Sequence, residues 1–250
     1  MLSQIRIVLV ETTHPGNIGA TARAMKTMGL GELWLVRPRL FPSAEATARA
    51  SGADDVLAAA QVVDDAAEAV AGCRLVMGTS NRQRSLGQPC LDPREAAARL
   101  SRERGQLPAA ILFGPEHSGL SNAHLDLCHL QVTIPAAADF PSLNIAAAVQ
   151  VIAYELRMAA LAAKEVAGIG GRPPAHLPVD AAEMERFYRH LEEVLVAIEF
   201  LDPANPRQLM RRLRRLYHRC QPDENEMNIL RGILTSIQRK ISTFRDASPP

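Results

Sequence analysis

Five short apolar runs alternate with helix-like stretches over the first 160 residues of the chain. They read IRIVLV, ELWLV, RLVMGT, AAILF and LQVTIP. Because these runs are nearly continuous in apolar residues, they are typical of strands that are buried on both faces. The alternation of such strands with helices predicts an α/β domain, in which helices cover both faces of a parallel sheet.

The rest of the chain has a different character. The first helix of the α/β domain is predicted at 17–28 and its last at 143–164. The segment EVAGIGGRPPAHLPVD is rich in Gly and Pro and predicts a linker. Beyond it the periodicity predicts only helices, at 181–200, 206–219 and 224–244. The expected organisation is an α/β domain at 1–165, a linker at 166–179 and a helical extension at 180–246.

Composition excludes several classes of protein. No uninterrupted apolar run approaches the roughly 18 residues of a membrane helix, and the N-terminus lacks a signal-peptide pattern. We therefore expect a cytoplasmic protein without a membrane partner. The four cysteines form no CxxC pair and lie near no histidine cluster, so we expect buried free thiols and no metal site.

Loops rich in Gly, Pro, Ser and Asn follow four of the predicted strands. They contain HPGNIG, GTSNRQR, FGPEHSGLSN and IPAAADFPSLN. Ligands of open α/β sheets bind beyond the carboxyl ends of the strands, although turns alone also need these residue types. Asn17 is expected to cap the first helix, Ser121 or Asn122 a short helix, and Ser142 the long one. Neither GxGxxG nor GxxxxGK occurs, so the usual nucleotide cradles are not predicted.

Three segments resemble, in order and at fitting spacing, the signature motifs of the SPOUT methyltransferases. They are HPGNIGATARAMKTMG, LFGPEHSGLSN and IPAAADFPSLNIAAAVQVIAYE. The similarity covers nearly the whole chain and is strongest to bacterial enzymes that methylate the ribose of cytidine or uridine at tRNA position 32. It implies a sheet threaded through itself as a trefoil knot, S-adenosylmethionine as cofactor, and tRNA and a second copy of the chain as partners.

Residue by residue, the resemblance implies a cofactor pocket made of small residues and prolines. Its members are Thr79, Ser80, Asn81, Gly114, Ile134, Pro141, Ser142 and Leu143. Backbone groups of such loops can hold adenine and ribose, and Leu120 and Leu143 can supply apolar walls. Close relatives often carry arginine where this chain has Pro115, so we expect no catalytic role there. Glu116 keeps the acidic residue of the family.

Arg23 lies in a predicted helix that is otherwise mostly small and apolar. The resemblance places the family's catalytic arginine here, with Asn17 shaping the same loop and Ser142 assisting by hydrogen bonding. Arginine is a poor general base because its pKa exceeds about 12. A fixed donor beside the ribose oxygen can instead stabilise developing negative charge, an effect commonly of about 3 kcal/mol. The alternative is an arginine that merely reaches solvent along the helix surface.

The net charge is only +1, but RQLMRRLRRLYHR holds six arginines between residues 207 and 219. Such a concentration can bind phosphates even on a neutral protein. Arg207, Arg211, Arg215 and Arg219 recur every four residues and are expected to face solvent. The predicted RNA contacts are Arg82, Arg84, Arg207, Arg211 and Arg215. Pairing of the stripe with the acidic segment ERFYRHLEE is the alternative. Tyr188 and Tyr217 are expected to pack in the core.

Two other functions stay open from the sequence alone. One is methylation of another tRNA or ribosomal RNA nucleotide by the same kind of enzyme. The other is a non-catalytic RNA-binding factor on the same fold. The presence of Arg23 together with the full set of cofactor-loop residues favours an enzyme.

Overall fold

The computed structural model describes residues 1–81, 89–103, 107–166 and 177–246. Within these ranges seven strands form one sheet in the order β3-β2-β1-β6-β4-β7-β5, and every neighbouring pair is parallel. The strands are β1 Ile5–Val10, β2 Glu32–Val36, β3 Gln61–Val63, β4 Leu75–Thr79, β5 Cys90–Leu91, β6 Ala109–Phe113 and β7 Leu130–Val132. The parallel sheet predicted from the apolar runs is confirmed.

Seven helices accompany the sheet in the described part of the chain, after a 3₁₀ turn at Leu2–Gln4. They are α1 Pro15–Met28, α2 Ala44–Ala50, α3 Asp54–Ala58, α4 Ala66–Val70, α5 Pro93–Arg102, α6 Asn122–Asp126 and α7 Ile145–Val166. The tail consists of α8 Ala181–Ala197, α9 Leu209–Cys220 and α10 Glu224–Asp246. The predicted helices at 181–200 and 206–219 are therefore too long at the end of α8 and at the start of α9.

Two predicted helix caps are wrong. Helix α1 starts at Pro15, whose fixed backbone angle suits a first helical position, so His14 is the N-cap and Asn17 lies inside the first turn. Helix α7 is capped by Asn144, whose Oδ1 accepts from the amides of Ala146 at 2.9 Å and Ala147 at 3.4 Å, and not by Ser142. The predicted cap at Ser121 is confirmed by its bond from the amide of His124.

The central strand β1 divides its side chains between two cores. Ile5, Ile7 and Leu9 pack with α1, α5 and α7 on one face of the sheet. Val8 and Val10 pack with α4 and α6 on the other face. This period of two is what a strand covered on both faces requires.

Close packing of α1 on α2 depends on Gly19. A Cβ at this position would lie 2.0 Å from the carbonyl oxygen of Ala46. Gly19, one of the small residues near Arg23, thus allows the close packing of α1 on α2.

The tail has a core of its own and docks on the face of the sheet that carries α4 and α6. Tyr188 is buried in this core with Phe187, against which Tyr217 packs edge-on at 4.8 Å, as the sequence predicts. Two imidazoles meet where the tail touches the domain. The rings of His129 and His218, both buried, are 4.5 Å apart between centroids.

Helix α7 is long and apolar enough to cross a membrane by length and composition, with a mean hydropathy of 1.5 over Ile145–Ala163. In this structure it packs against α1 and α5.

Only Cys73 and Cys128 are buried, so the expectation of buried thiols is wrong for the exposed Cys90 and Cys220. In the described ranges no cluster of His, Cys, Asp or Glu has a metal-binding arrangement.

The buried imidazoles make the stability of the protein pH-dependent. Burial lowers the pKa of His129 to about 4 and that of His218 as well. The unfolded chain, with histidine pKa values near 6.5, therefore binds more protons below that pH. Above pH 6.5 the burial of neutral histidines does not reduce the free energy of unfolding. As the pH drops towards 4 this free energy falls, by roughly 2 kcal/mol at pH 4.5 for His129 alone.

The variant His129→Gln removes this proton site while its amide oxygen can still accept the bond that the amide of Val76 donates to Nδ1 of His129. Urea unfolding at pH 7 and pH 4.5 should show a smaller loss of stability on acidification than in the wild type. The exposed His14→Gln is the matched control and should behave as the wild type does. An acid-induced loss in His129→Gln as large as in the wild type would contradict this account.

Candidate functional site

A cavity of about 340 Å³ opens beyond the carboxyl ends of β4, β6 and β7. All eight residues predicted for the cofactor pocket line it: Thr79, Ser80, Asn81, Gly114, Ile134, Pro141, Ser142 and Leu143. Glu116 and Leu120 line it as well. Three loops far apart in sequence therefore share one cavity. Their role towards a cofactor stays a prediction.

Hydrogen bonds to neighbouring strands hold the first loop. Thr79 donates through Oγ1 to the carbonyl of Leu112 at 2.9 Å. The carbonyl of Ser80 accepts from the hydroxyl of Thr133 at 2.6 Å and from the amide group of Gln131 at 3.2 Å. These bonds fix the loop at the edge of the sheet before any ligand arrives.

The second loop folds back on itself so tightly that Gly114 has no room for a side chain. A Cβ there would lie 2.2 Å from the amide nitrogen of Leu120. Gly119 adopts a left-handed conformation with φ of 67° and turns the chain. Ser121 then caps α6 immediately after this loop. The glycines thus expose backbone groups to the cavity at close range.

The carboxylate of Glu116 joins the second loop to the start of α1. It accepts hydrogen bonds from the amide of Thr13 at 3.1 Å, the hydroxyl of Thr13 at 3.0 Å and Nδ2 of Asn17 at 2.8 Å. Asn17 in turn accepts from Nδ2 of Asn144 at 2.9 Å. The three motifs recognised in the sequence are therefore connected through one carboxylate.

This hydrogen-bond network stabilises the ionised form of Glu116. Burial acts to raise the pKa of the carboxyl, but the hydrogen bonds from Asn17 and Thr13 outweigh burial and keep the pKa below its ordinary value. The group is thus ionised at neutral pH, as an acceptor of several donors must be.

Arg23 occupies the exposed side of α1 and does not line the cavity. Within the described ranges its guanidinium makes no ion pair. Among the three residues predicted to be catalytic, Ser142 lies in the cavity wall and Asn17 reaches the wall through Glu116. The geometry leaves the charge of Arg23 available to an anionic partner.

The sequence predicts that the arginine stripe of the tail faces solvent throughout. The structure shows that only part of it is exposed. Arg207 is exposed, whereas Nε of Arg211 donates to both carboxylate oxygens of Asp126 on α6, each at 3.0 Å. Arg215 is half-buried. The acidic segment ERFYRHLEE pairs with Arg214, which lies outside the four-residue repeat. Arg82 and Arg84 lie outside the described residues.

The sequence motifs assign no role to Asn144 or to Glu116, although both residues take part in the hydrogen-bond network of the site. An available signal for Asn144 is its position directly before the long helix, where an asparagine is a frequent cap. For Glu116 the signal is an acidic residue between a strand and a glycine turn. Neither signal identifies the partner across about one hundred residues of chain, which only the fold brings into contact.

Comparison with known proteins gives this architecture a class. Residues 4–154 match the SpoU rRNA Methylase family, and the chain belongs to this family of methylases. Residues 182–246 match a second family, described as tRNA methyltransferase TrmJ, C-terminal domain. The helical tail therefore places the chain in the TrmJ branch.

Individual relatives agree over almost their full length. The tRNA (cytidine/uridine-2′-O-)-methyltransferase TrmJ of Klebsiella pneumoniae is 52% identical over 242 residues, which is 96% of this chain and 98% of that protein. The protein of the same name from Salmonella typhimurium is 50% identical over 240 residues, or 96% of this chain and 98% of its own.

Solved structures share the fold. The crystal structure of TrmJ from Z. mobilis ZM4 has a TM-score of 0.81 and 35% identity, and the match covers 93% of this chain and 98% of that one. A probable methylase family protein from Haemophilus influenzae has a TM-score of 0.66 and 40% identity, covering 98% of this chain and 100% of that one.

Replacement of Glu116 by glutamine tests the network that joins the loops. The amide of Glu116→Gln presents a donor to donors on Thr13 and Asn17, so unfolding free energy at pH 7 should fall by about 1 to 3 kcal/mol. The exposed Glu32→Gln removes the same charge and should leave stability within about 0.5 kcal/mol of the wild type. Equal stability of the two variants in urea unfolding would argue against a structural role for the Glu116 carboxylate.

Proposed function

We propose that the protein transfers the methyl group of S-adenosylmethionine to the ribose 2′-OH of cytidine or uridine at position 32 of the tRNA anticodon loop. The observation that carries this proposal is the single cavity lined by all eight residues that the motifs assign to the cofactor. The curated relatives named as tRNA (cytidine/uridine-2′-O-)-methyltransferases support the reaction class and the substrate.

The residues around the cavity suit a nucleoside that carries a positive charge. The volume of the cavity, about 340 Å³, falls within the usual range of small-molecule sites. Backbone groups beside Gly114 and the side chains of Leu120 and Leu143 offer hydrogen bonds and apolar cover. The ionised Glu116 places a negative charge in the wall. When bound, S-adenosylmethionine supplies an electrophilic methyl group on a sulfonium.

The protein's own residues then have to align the hydroxyl and stabilise its oxygen. Alignment of two reactants can lower a barrier by about 7 to 11 kcal/mol in favourable cases. Arg23, permanently charged and unpaired within the described residues, is proposed to hold the ribose or its phosphate and to stabilise negative charge on the attacking oxygen. Ser142 is proposed to donate a hydrogen bond within the cavity, and Asn17 to fix the loop through Glu116.

Assembly is the next part of the proposal. Helix α7 exposes four apolar side chains at helical spacing, namely Val151, Tyr154, Met158 and Leu161. We propose that a second copy of the chain covers this stripe in a homodimer. The cytoplasm, where tRNA is modified, is the proposed location.

The proposed division of the chain is a knotted methyltransferase domain at 1–165, a linker at 166–179 and a tRNA-binding extension at 180–246. The two family matches, at 4–154 and 182–246, support the division. The crossing of β6 and β7 to opposite sides of β4 supports the knot. Arg82, Arg84, Arg207 and Arg215 stay proposed RNA contacts, whereas the ion pair of Arg211 indicates a structural role.

Methyl transfer from labelled S-adenosylmethionine to unmodified tRNA transcripts tests the function. The wild type should label the transcript, and a transcript that already carries a 2′-O-methyl at nucleotide 32 should stay unlabelled. Arg23→Ala should lower kcat by about 100-fold or more, because one preorganised donor commonly contributes that much. Binding of S-adenosylmethionine should persist in Arg23→Ala, since Arg23 does not line the cavity.

Lys26→Ala is the matched control, because Lys26 is exposed on the same helix and pairs with Asp55. It should retain activity within about twofold of the wild type, as expected for a surface ion pair. Labelling that ignores the methyl block at nucleotide 32 would show another target nucleotide. A wild type that labels no tRNA would contradict the proposed function.

A further inference from the structure

Helix α9 carries five arginines and uses them in two different ways. On the side that faces the domain, Arg211 pairs with Asp126 of α6 at 3.0 Å. Arg214 forms two hydrogen bonds with Glu185 of α8, at 2.6 and 2.7 Å, and stacks on the ring of Tyr188 at 4.4 Å. These two guanidinium groups hold α9 in place, so they are not available to a partner.

The neighbouring, more exposed side of α9 carries Arg212, Arg215 and Arg219. At 100° per residue these positions fall within an arc of about 60°, and the neighbouring Leu216 on the same side is 43% exposed. Arg212 and Arg219 are exposed. Within the described ranges none of the three arginines forms an ion pair with a carboxylate.

Nε of Arg215 is buried and has no hydrogen-bond partner in the part of the chain that the structure describes. A buried charged donor without a partner is unfavourable, because the lost hydration is not replaced. An acceptor from outside the chain cannot reach this buried nitrogen, but it can bind the same guanidinium through the two terminal nitrogens, which are not among the buried, unpaired atoms.

The three charges also repel one another. Like charges three or four positions apart destabilise a helix by about 0.2 to 0.5 kcal/mol per pair. Helix α9 contains no acidic residue that would relieve this repulsion. A polyanion removes it, because each phosphate that binds an arginine neutralises one charge and releases counterions.

The docked side gives this surface a fixed position relative to the cavity. Asp126, the partner of Arg211, ends α6, and α6 begins directly after the loop that holds Gly114 and Leu120. The His129 and His218 rings, 4.5 Å apart, close the same junction. An RNA held on the outer side of α9 is therefore held at a set distance from the site of methyl transfer.

We propose that Arg212, Arg215 and Arg219 form the surface of the tail that binds the phosphate backbone of tRNA, while Arg211 anchors α9 to α6 of the domain and Arg214 anchors it to α8. This inference rests on the proposed function and differs from the four-residue repeat read from the sequence. Arg212, absent from that repeat, joins the RNA surface, and Arg211 leaves it.

The test is tRNA binding by the full chain in the absence of S-adenosylmethionine, measured by fluorescence anisotropy over a series of salt concentrations. In the double variant Arg212→Gln/Arg219→Gln, Kd at 0.15 M salt should rise about tenfold. The slope of log K against log salt should become shallower by about 1.5, because two phosphate contacts are lost. Arg49→Gln/Arg102→Gln removes two exposed charges elsewhere and should change Kd less than about twofold.

Equal weakening of binding by both double variants would overturn the proposal, since bulk charge alone would then explain it. Unchanged binding by Arg212→Gln/Arg219→Gln would overturn it as well. Methyl transfer separates this inference from the proposed function. The variant should show a raised KM for tRNA with kcat near that of the wild type. A wild type that binds tRNA through α9 but methylates none would refute the proposed function and leave the surface standing.

Discussion

One carboxylate, that of Glu116, organises the functional edge of this protein. It is partly buried and ionised, so it needs donors, and it finds them on Thr13 and Asn17 at the start of α1. Asn17 also accepts a hydrogen bond from Asn144, which caps α7. The start of α1 is thereby tied to the loop of Glu116 and to the start of α7, both about one hundred residues further along the chain. Without this carboxylate, the donors of Thr13 and Asn17 at the start of α1 would lose their shared acceptor.

The parallel sheet makes this meeting possible, because the carboxyl ends of its strands lie along one edge. Positions without side chains then set how closely the parts approach. Gly19 lets α1 lie against α2, and Gly114 lets the second loop fold onto Leu120. The tail is attached through the ion pair of Arg211 with Asp126 of α6, the short helix that follows the second loop. The cavity and the proposed RNA surface thus belong to one connected arrangement.

The sequence predicts those parts of the fold that a local pattern determines. Continuous apolar runs predict the five buried strands. The short strands β3 and β5 are not predicted, because exposed residues such as Gln61 and Cys90 interrupt the apolar pattern. The motifs predict eight of the residues that line the cavity. Periodicity could not tell that Arg211 meets Asp126, because the partner of a charged side chain depends on tertiary packing.

The central claim, that three loops together bind S-adenosylmethionine, is tested most directly by amide hydrogen exchange of the free and the cofactor-loaded protein. Binding should slow exchange in all three lining segments, at 79–81, 113–120 and 132–143. The outer turns of α9 should exchange at the same rate in both samples, since they lie outside the cavity. Saturation with S-adenosylmethionine that protects only one of these segments, or a different part of the chain, would contradict the account.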